Sequence, residues 1–189
     1  MKMNLKQLFL GLVLTASGSF VFLSTGFAAK GETYYTRMNI WYENPGRIMS
    51  TNYHRGAILP VGTEVQLIKQ GKKIKFRDKT SGIEFRIMLV KKYTNLTKEE
   101  FFNRYLSKEN ILNSSEYAAF SDSEKENIKG GTLIDGMSKA AALIAWGYPP
   151  SHRTASTNAD MWTYWTSRMM TREIHFKNDK INAVSKPKV

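Results

Sequence analysis

The 189-residue chain reads as an α+β protein. A small β-rich, barrel-like N-terminal module is expected first, then helices packed on a three-stranded antiparallel sheet. Three observations carry that expectation. Residues 73–77 and 83–90 alternate apolar and polar side chains with period two and flank a glycine-containing turn, which is a hairpin signature. Ser138 is placed to cap a short alanine-rich helix, 139–146, that Gly147 and Pro149-Pro150 stop. Behind it come an aromatic run at 161–166 and two further strand-like runs, 169–176 and 180–184, separated by the turn pair Asn178-Asp179.

In chain order, Lys2 and Lys6 precede an apolar stretch, and Gly26 and Ala28 place small residues three and one positions before a cut. Residues 1–28 thus read as a secretory signal peptide rather than an uncleaved anchor, since Thr15, Ser17, Ser19 and Ser24 interrupt the run. Residues 29–94 form the β-rich module. An aromatic strand over 34–42 ends at Asn44-Pro45-Gly46, a short run follows at 48–53, and Leu59-Pro60-Val61-Gly62 turns into a strand at 65–68. Residues 95–120 read as a helical connector. Thr97 is its N-cap, Glu99 and Glu100 suit the positive end of the helix, and Phe101, Phe102, Tyr105 and Leu106 recur at helical spacing. Residues 121–186 form the last module, opening with a Ser121/Glu124 capping box on a helix that ends at Gly130-Gly131.

Composition narrows the function classes. The chain has no cysteine, so neither disulfides nor an N-terminal lipid anchor are available, and an exported protein without disulfides points to a bacterial envelope. The expectation is a periplasmic or secreted protein, outer-membrane associated in one variant, and not a lipoprotein. The formal net charge is +12, and loss of Lys2 and Lys6 lowers it by two. That charge serves solubility alone, or draws anionic partners such as phospholipid headgroups, acidic glycans or acidic proteins. Nucleic acid is not an expected partner of an exported chain.

Two resemblances bear on function. The segment Leu59-Pro60-Val61-Gly62-Thr63-Glu64-Val65 resembles part of the bacterial Src-homology-3-like barrels, which implies binding of peptide or cell-wall peptide. Gly136-Met137-Ser138-Lys139, Gly147-Tyr148-Pro149, the Trp162-x-Tyr164 strand and Phe176-x-Asn178-Asp179-Lys180-Ile181 together resemble the SmpA/OmlA (BamE-like) domain. That resemblance spans about a third of the chain. It implies two helices on a three-stranded sheet and a non-enzymatic role in binding other envelope proteins. Its best-known members support outer-membrane β-barrel assembly and are lipoproteins, from which this cysteine-free chain departs.

Chemistry-bearing residues do not form a catalytic pattern. His54, His152 and His175 lie far apart, no pair has helical ligand spacing, and no nucleophile elbow or phosphate-cradling glycine loop occurs. No catalytic residue, metal or cofactor is therefore assigned. The aromatics are the better candidates. Trp162 and Tyr164 share a strand face and are expected to build the core with Trp146 and Tyr148. Trp165 points to the other face, either as an anchor for a protein partner or as glue to the N-terminal module. His152 and Arg153 on the polar loop 151–159 form the rim of that site, with Tyr148 nearby. Lys72, Lys73, Lys75, Arg77 and Lys79 cluster in one hairpin, either as a solvated face or as a patch for an anionic partner. The leading reading is a non-enzymatic envelope protein that binds proteins. The alternative is cell-wall peptide or glycan binding by the N-terminal module, and a secreted hydrolase is the third.

Overall fold

A computed structural model describes residues 30–51 and 53–189. The expected signal peptide lies outside the described residues. The fold is α+β. In order, its elements are β1 (Thr33–Thr36), β2 (Ile40–Tyr42), β3 (Ile48–Met49), β4 (Ala57–Leu59), β5 (Glu64–Lys69), β6 (Lys73–Asp78), β7 (Glu84–Met88), α1 (Lys98–Tyr105), β8 (Leu106–Ser107), α2 (Ser115–Ala118), α3 (Asp122–Gly130), α4 (Lys139–Trp146), β9 (Met161–Trp165), β10 (Thr171–Lys177) and β11 (Lys180–Val184).

The N-terminal half is a curled half-barrel of six strands in the order β3-β7-β6-β5-β1-β8. The β6–β7 hairpin pairs in the register that its alternation requires, Ile74 against Ile87 and Phe76 against Phe85. Those four side chains are fully buried in the first hydrophobic core.

Two expectations for this half are corrected. Residues 34–42 are not one strand. The backbone leaves the sheet after Thr36, Arg37 N–H donates to the Tyr105 carbonyl, and Ile40–Tyr42 pairs with β4 in a separate two-stranded ribbon. Nor is 95–120 helical throughout, since β8 interrupts it. The Thr97/Glu100 capping box starts α1 as expected, and the helix then buries Phe101, Phe102 and Tyr105 in the first core. Its amphipathic face needs an apolar partner, and the concave sheet supplies one. The chain then adds β8 beside β1.

The C-terminal half carries a three-stranded antiparallel sheet, β11-β10-β9, with a second core. That core joins Ile128 of α3, the α4 residues Ala141, Ala142, Ile144 and Trp146, and Trp162, Tyr164, Ile174, Phe176 and Ile181 of the sheet. Both helices begin as the sequence implies, with Ser121 and Ser138 capping, and α3 ends at Gly131 in the left-handed conformation. A further correction concerns β10, which starts at Thr171 and not at 169. Ser167 Oγ accepts from the Met169 and Met170 amides, which extends the turn and removes both residues from the ladder.

The separate pieces of the C-terminal sequence pattern touch one another. Gly136 N–H donates to the Ile181 carbonyl, Ile181 N–H to Met137, and Lys139 N–H to Asp179. The segment before α4 thus runs along the outer edge of β11. The Asn178-Asp179 turn has positive φ at both residues, as a tight hairpin of this twist requires. Lys139 closes the arrangement through ion pairs to Asp179 at 2.8 Å and Asp160 at 3.4 Å.

The two halves meet at the C-terminus of α4. A helix leaves its last four carbonyls without intrahelical partners. Here Leu143 accepts from the Gly147 amide, Ile144 from the Asn39 amide at 2.9 Å, Ala145 from Asn39 Nδ2 at 3.2 Å, and Trp146 from His54 Nε2 at 2.8 Å. Asn39 is fully buried and makes two further bonds, Nδ2 to the Ile128 carbonyl of α3 at 2.6 Å and Oδ1 from the Val61 amide at 2.9 Å. Its amide therefore joins the ends of both C-terminal helices to the turn before β5.

Replacing Asn39 tests this joint. Asn39→Ala strands the Ala145 carbonyl and the Val61 amide, each costing roughly 1–3 kcal/mol when buried, while the Ile128 carbonyl keeps the Gly131 amide. Urea unfolding should show a loss of at least about 2 kcal/mol on that basis. Asn39→Asp, which cannot donate to either carbonyl when ionised, should be no better at neutral pH. A loss below about 1 kcal/mol for both variants would refute the role assigned to Asn39.

Candidate functional site

Three of the four residues expected to bind a partner come together at the surface. Trp165 lies on the opposite side of β9 from the buried Trp162 and Tyr164, as strand alternation demands, and is half-buried. The His152 ring lies nearly parallel to its indole at 6.1 Å, and the Arg153 guanidinium sits 5.3 Å from the indole centre. His152 and Arg153 are both exposed. The loop that carries them is held in place. Arg153 and Thr154 amides donate to the Pro150 carbonyl, Lys139 Nζ to Asn158, and Trp162 Nε1 to Thr157.

The same cluster reaches the N-terminal half. The His152 ring packs 4.7 Å from Tyr93, and Ser151 Oγ donates to the Tyr93 carbonyl. The Trp165 carbonyl accepts from the His54 amide. Along the free edge of β9, Thr154 Oγ1 accepts from the Thr163 amide. Trp165 thus presents part of its ring outward while its main chain helps to join the halves.

Tyr148 does not belong to this cluster. It packs against the first core, with the Arg104 guanidinium 4.1 Å from its ring centre. The proline pair after Gly147 turns the chain back toward α1, away from Trp165.

Three of the five cations of the hairpin are paired, with two carboxylates. Lys75 and Arg77 both bond Glu84 across the β6–β7 ladder, and Lys79 bonds Glu64. Lys72 and Lys73 are left without an ion pair among the described residues. The five cations are therefore not one free patch, since opposite charges across the strands pair most of them. Hydrogen bonds from Lys75 and then Arg77 hold the Glu84 carboxyl below its usual range.

A second feature had little sequence signal. Between β2 and β10 lies a groove of about 600 Å³ lined by Trp41, His54, Arg55, Thr132, Leu133, Trp146, Met170, Arg172, Val184 and Pro187, among others. His54 forms its floor, in ring contact with Trp146 at 4.2 Å, Tyr164 at 4.8 Å and Trp41 at 5.6 Å. Gly131 fits only because it has no side chain, as a Cβ there would lie 2.5 Å from Ile58 and 2.9 Å from Trp41. The Arg172 guanidinium is 5.7 Å from the Trp146 ring. Arg172 shares strand parity with Ile174 and Phe176, so a cation in an apolar register was the one trace in the sequence. His54 lies in a segment with no periodic pattern.

Burial first, and then the charge of Arg172, push the His54 pKa down to about 4, although its bond to the Trp146 carbonyl opposes this. The ring is therefore neutral at pH 7. Since a carbonyl only accepts, Nε2 carries the proton. A neutral histidine enclosed by aromatics and bonded to a helix-end carbonyl serves here as a structural element. Among the described residues, no group of three or more metal-ligating side chains converges, and no helix is long and apolar enough to cross a membrane. Comparison of the chain with protein-family models, characterised proteins and solved structures finds no match.

The depressed histidine pKa makes stability depend on pH. The unfolded histidine takes up its proton near 6.5 and the folded one only near 4, so acid favours unfolding. Stabilisation present above about pH 6.5 is lost progressively as pH falls to about 4. Between pH 7 and pH 5 the wild type should lose roughly 2 kcal/mol of unfolding free energy from this residue. His54→Gln, which keeps a donor for the Trp146 carbonyl, should be flatter over that interval. Equal slopes for the two proteins in urea titrations would exclude His54 as the source.

Proposed function

We propose that the protein is a non-enzymatic binding protein of the bacterial envelope, exported and not lipid-anchored, whose partner is another envelope protein. The observation that carries this reading is the Trp165–His152–Arg153 cluster. A half-buried indole is flanked by a parallel imidazole and a guanidinium on the helix-free side of a small sheet. Large aromatics and arginines held rigid at a partly solvated rim are the residues that dominate protein interfaces. Two helices followed by a three-stranded antiparallel sheet support the likeness to the SmpA/OmlA (BamE-like) domain.

The second reading, cell-wall glycan or peptide binding by the N-terminal half, has an observation of its own. A shallow cleft of about 360 Å³ is lined by Trp41, Tyr42 and Tyr53 together with Glu43, Asn44 and Arg47. Aromatic faces beside hydrogen-bonding side chains suit sugar rings.

Crosslinking of a tagged, full-length chain in intact envelopes separates the two. Under the leading reading, a specific protein is recovered, and Trp165→Ala weakens its binding by about 30-fold, the loss typical of a hot-spot residue. Retention of every partner by Trp165→Ala would remove the Trp165 face from consideration. Sedimentation with purified sacculi, reduced by Trp41→Ala and untouched by Trp165→Ala, would instead favour the second reading. The full chain is required, because α1 and β8 complete the first core.

A further inference from the structure

We propose that the groove between β2 and β10 is a binding site for a small amphipathic carboxylate, with Arg172 as the carboxylate anchor. The site is distinct from the Trp165 face. Its lining carries two guanidiniums, Arg55 and Arg172, and no aspartate or glutamate. Arg55 is paired with Glu43 at 3.1 Å. Arg172 is half-buried and makes no ion pair or side-chain hydrogen bond among the described residues; its only contacts of that kind are the Trp146 ring and the neutral His54. A cation withdrawn from water is ordinarily paired.

The hydrogen-bond inventory points to the same chemistry. Arg172 Nε and Trp41 Nε1 are both buried and have no acceptor among the described residues. Indole and guanidinium nitrogens only donate, so the complement to both is an acceptor, and beside a guanidinium a carboxylate is the strongest one. Apolar side chains set the rest of the ligand. Trp41, Leu133, Met170 and Val184 present aromatic and aliphatic surface around the donors, and Met170 is exposed and adaptable. A volume of about 600 Å³ is ample for a head group and a short apolar chain. A bare anion would leave that apolar wall unused.

Octanoate is the probe, at concentrations below micelle formation, with octylammonium and inorganic phosphate as controls. Binding is read by calorimetry and by tryptophan fluorescence, since Trp41 and Trp146 line the groove. Octanoate should bind saturably, and both controls at least about tenfold more weakly, since the site needs the charge and the chain together. Arg172→Met should weaken octanoate by about tenfold or more, the usual worth of a charge-assisted anchor. Arg172→Lys should fall between. Met170→Glu, a change at an exposed position, places a carboxylate in the groove and should block octanoate without disturbing the fold. Equal binding of octanoate and octylammonium, equal binding of phosphate, or octanoate affinity unchanged in a folded Met170→Glu and Arg172→Met would overturn the proposal. Trp165→Ala should leave octanoate binding intact, so this test and that of the partner-binding face fail independently.

Discussion

The C-terminus of α4 is the constraint on which the two halves depend. Four carbonyls point out of that helix end, and three are met by donors from the N-terminal half, two from Asn39 and one from His54. Polar groups in such a position are costly when unmet. The halves therefore cannot separate without exposing or stranding them. The apolar contacts alone would not fix this geometry, because hydrophobic contact is non-directional. The hydrogen bonds set the angle at which Trp41, Trp146 and Arg172 face one another, and so they set the groove.

The elements with strong local rules were readable from sequence. The β6–β7 hairpin, the caps at Thr97, Ser121 and Ser138, the Gly131 stop and the Asn178-Asp179 turn each follow from residues a few positions apart. Apart from the start of β10, where a local serine turn intervenes, the failures were long-range. Nothing near Asn39 announces that residues 37–39 must leave the strand, because the groups that draw them out are on α1, α3 and α4. Similarly, α1 reads as a free amphipathic helix until the concave sheet is present to receive it.

The same distinction separates the two candidate sites. Trp165 was legible because strand alternation sets it apart from Trp162 and Tyr164, and His152 and Arg153 because they lie in a polar loop beside it. Tyr148 misled, since proximity in sequence to Trp146 said nothing about the direction taken after the proline pair. The groove was illegible because its residues come from six separated segments, none of which has a motif. Charge counting could not choose between the two readings of the cationic hairpin, because the carboxylates that pair three of its cations, Glu84 and Glu64, lie across the ladder and beside it.

The covering of the small sheet limits how any partner can be recognised. On one side the Gly136–Lys139 segment occupies the outer edge of β11. On the other, Thr154 and the His54 main chain take up positions along β9. Strand addition, in which an extended peptide extends a sheet through main-chain hydrogen bonds, needs an edge with those groups free. Here the outer main-chain groups of Ile181, the Thr163 amide and the Trp165 carbonyl are already taken. Strand addition at those positions would have to displace existing bonds, so a partner docked on this sheet would be read mainly through side chains.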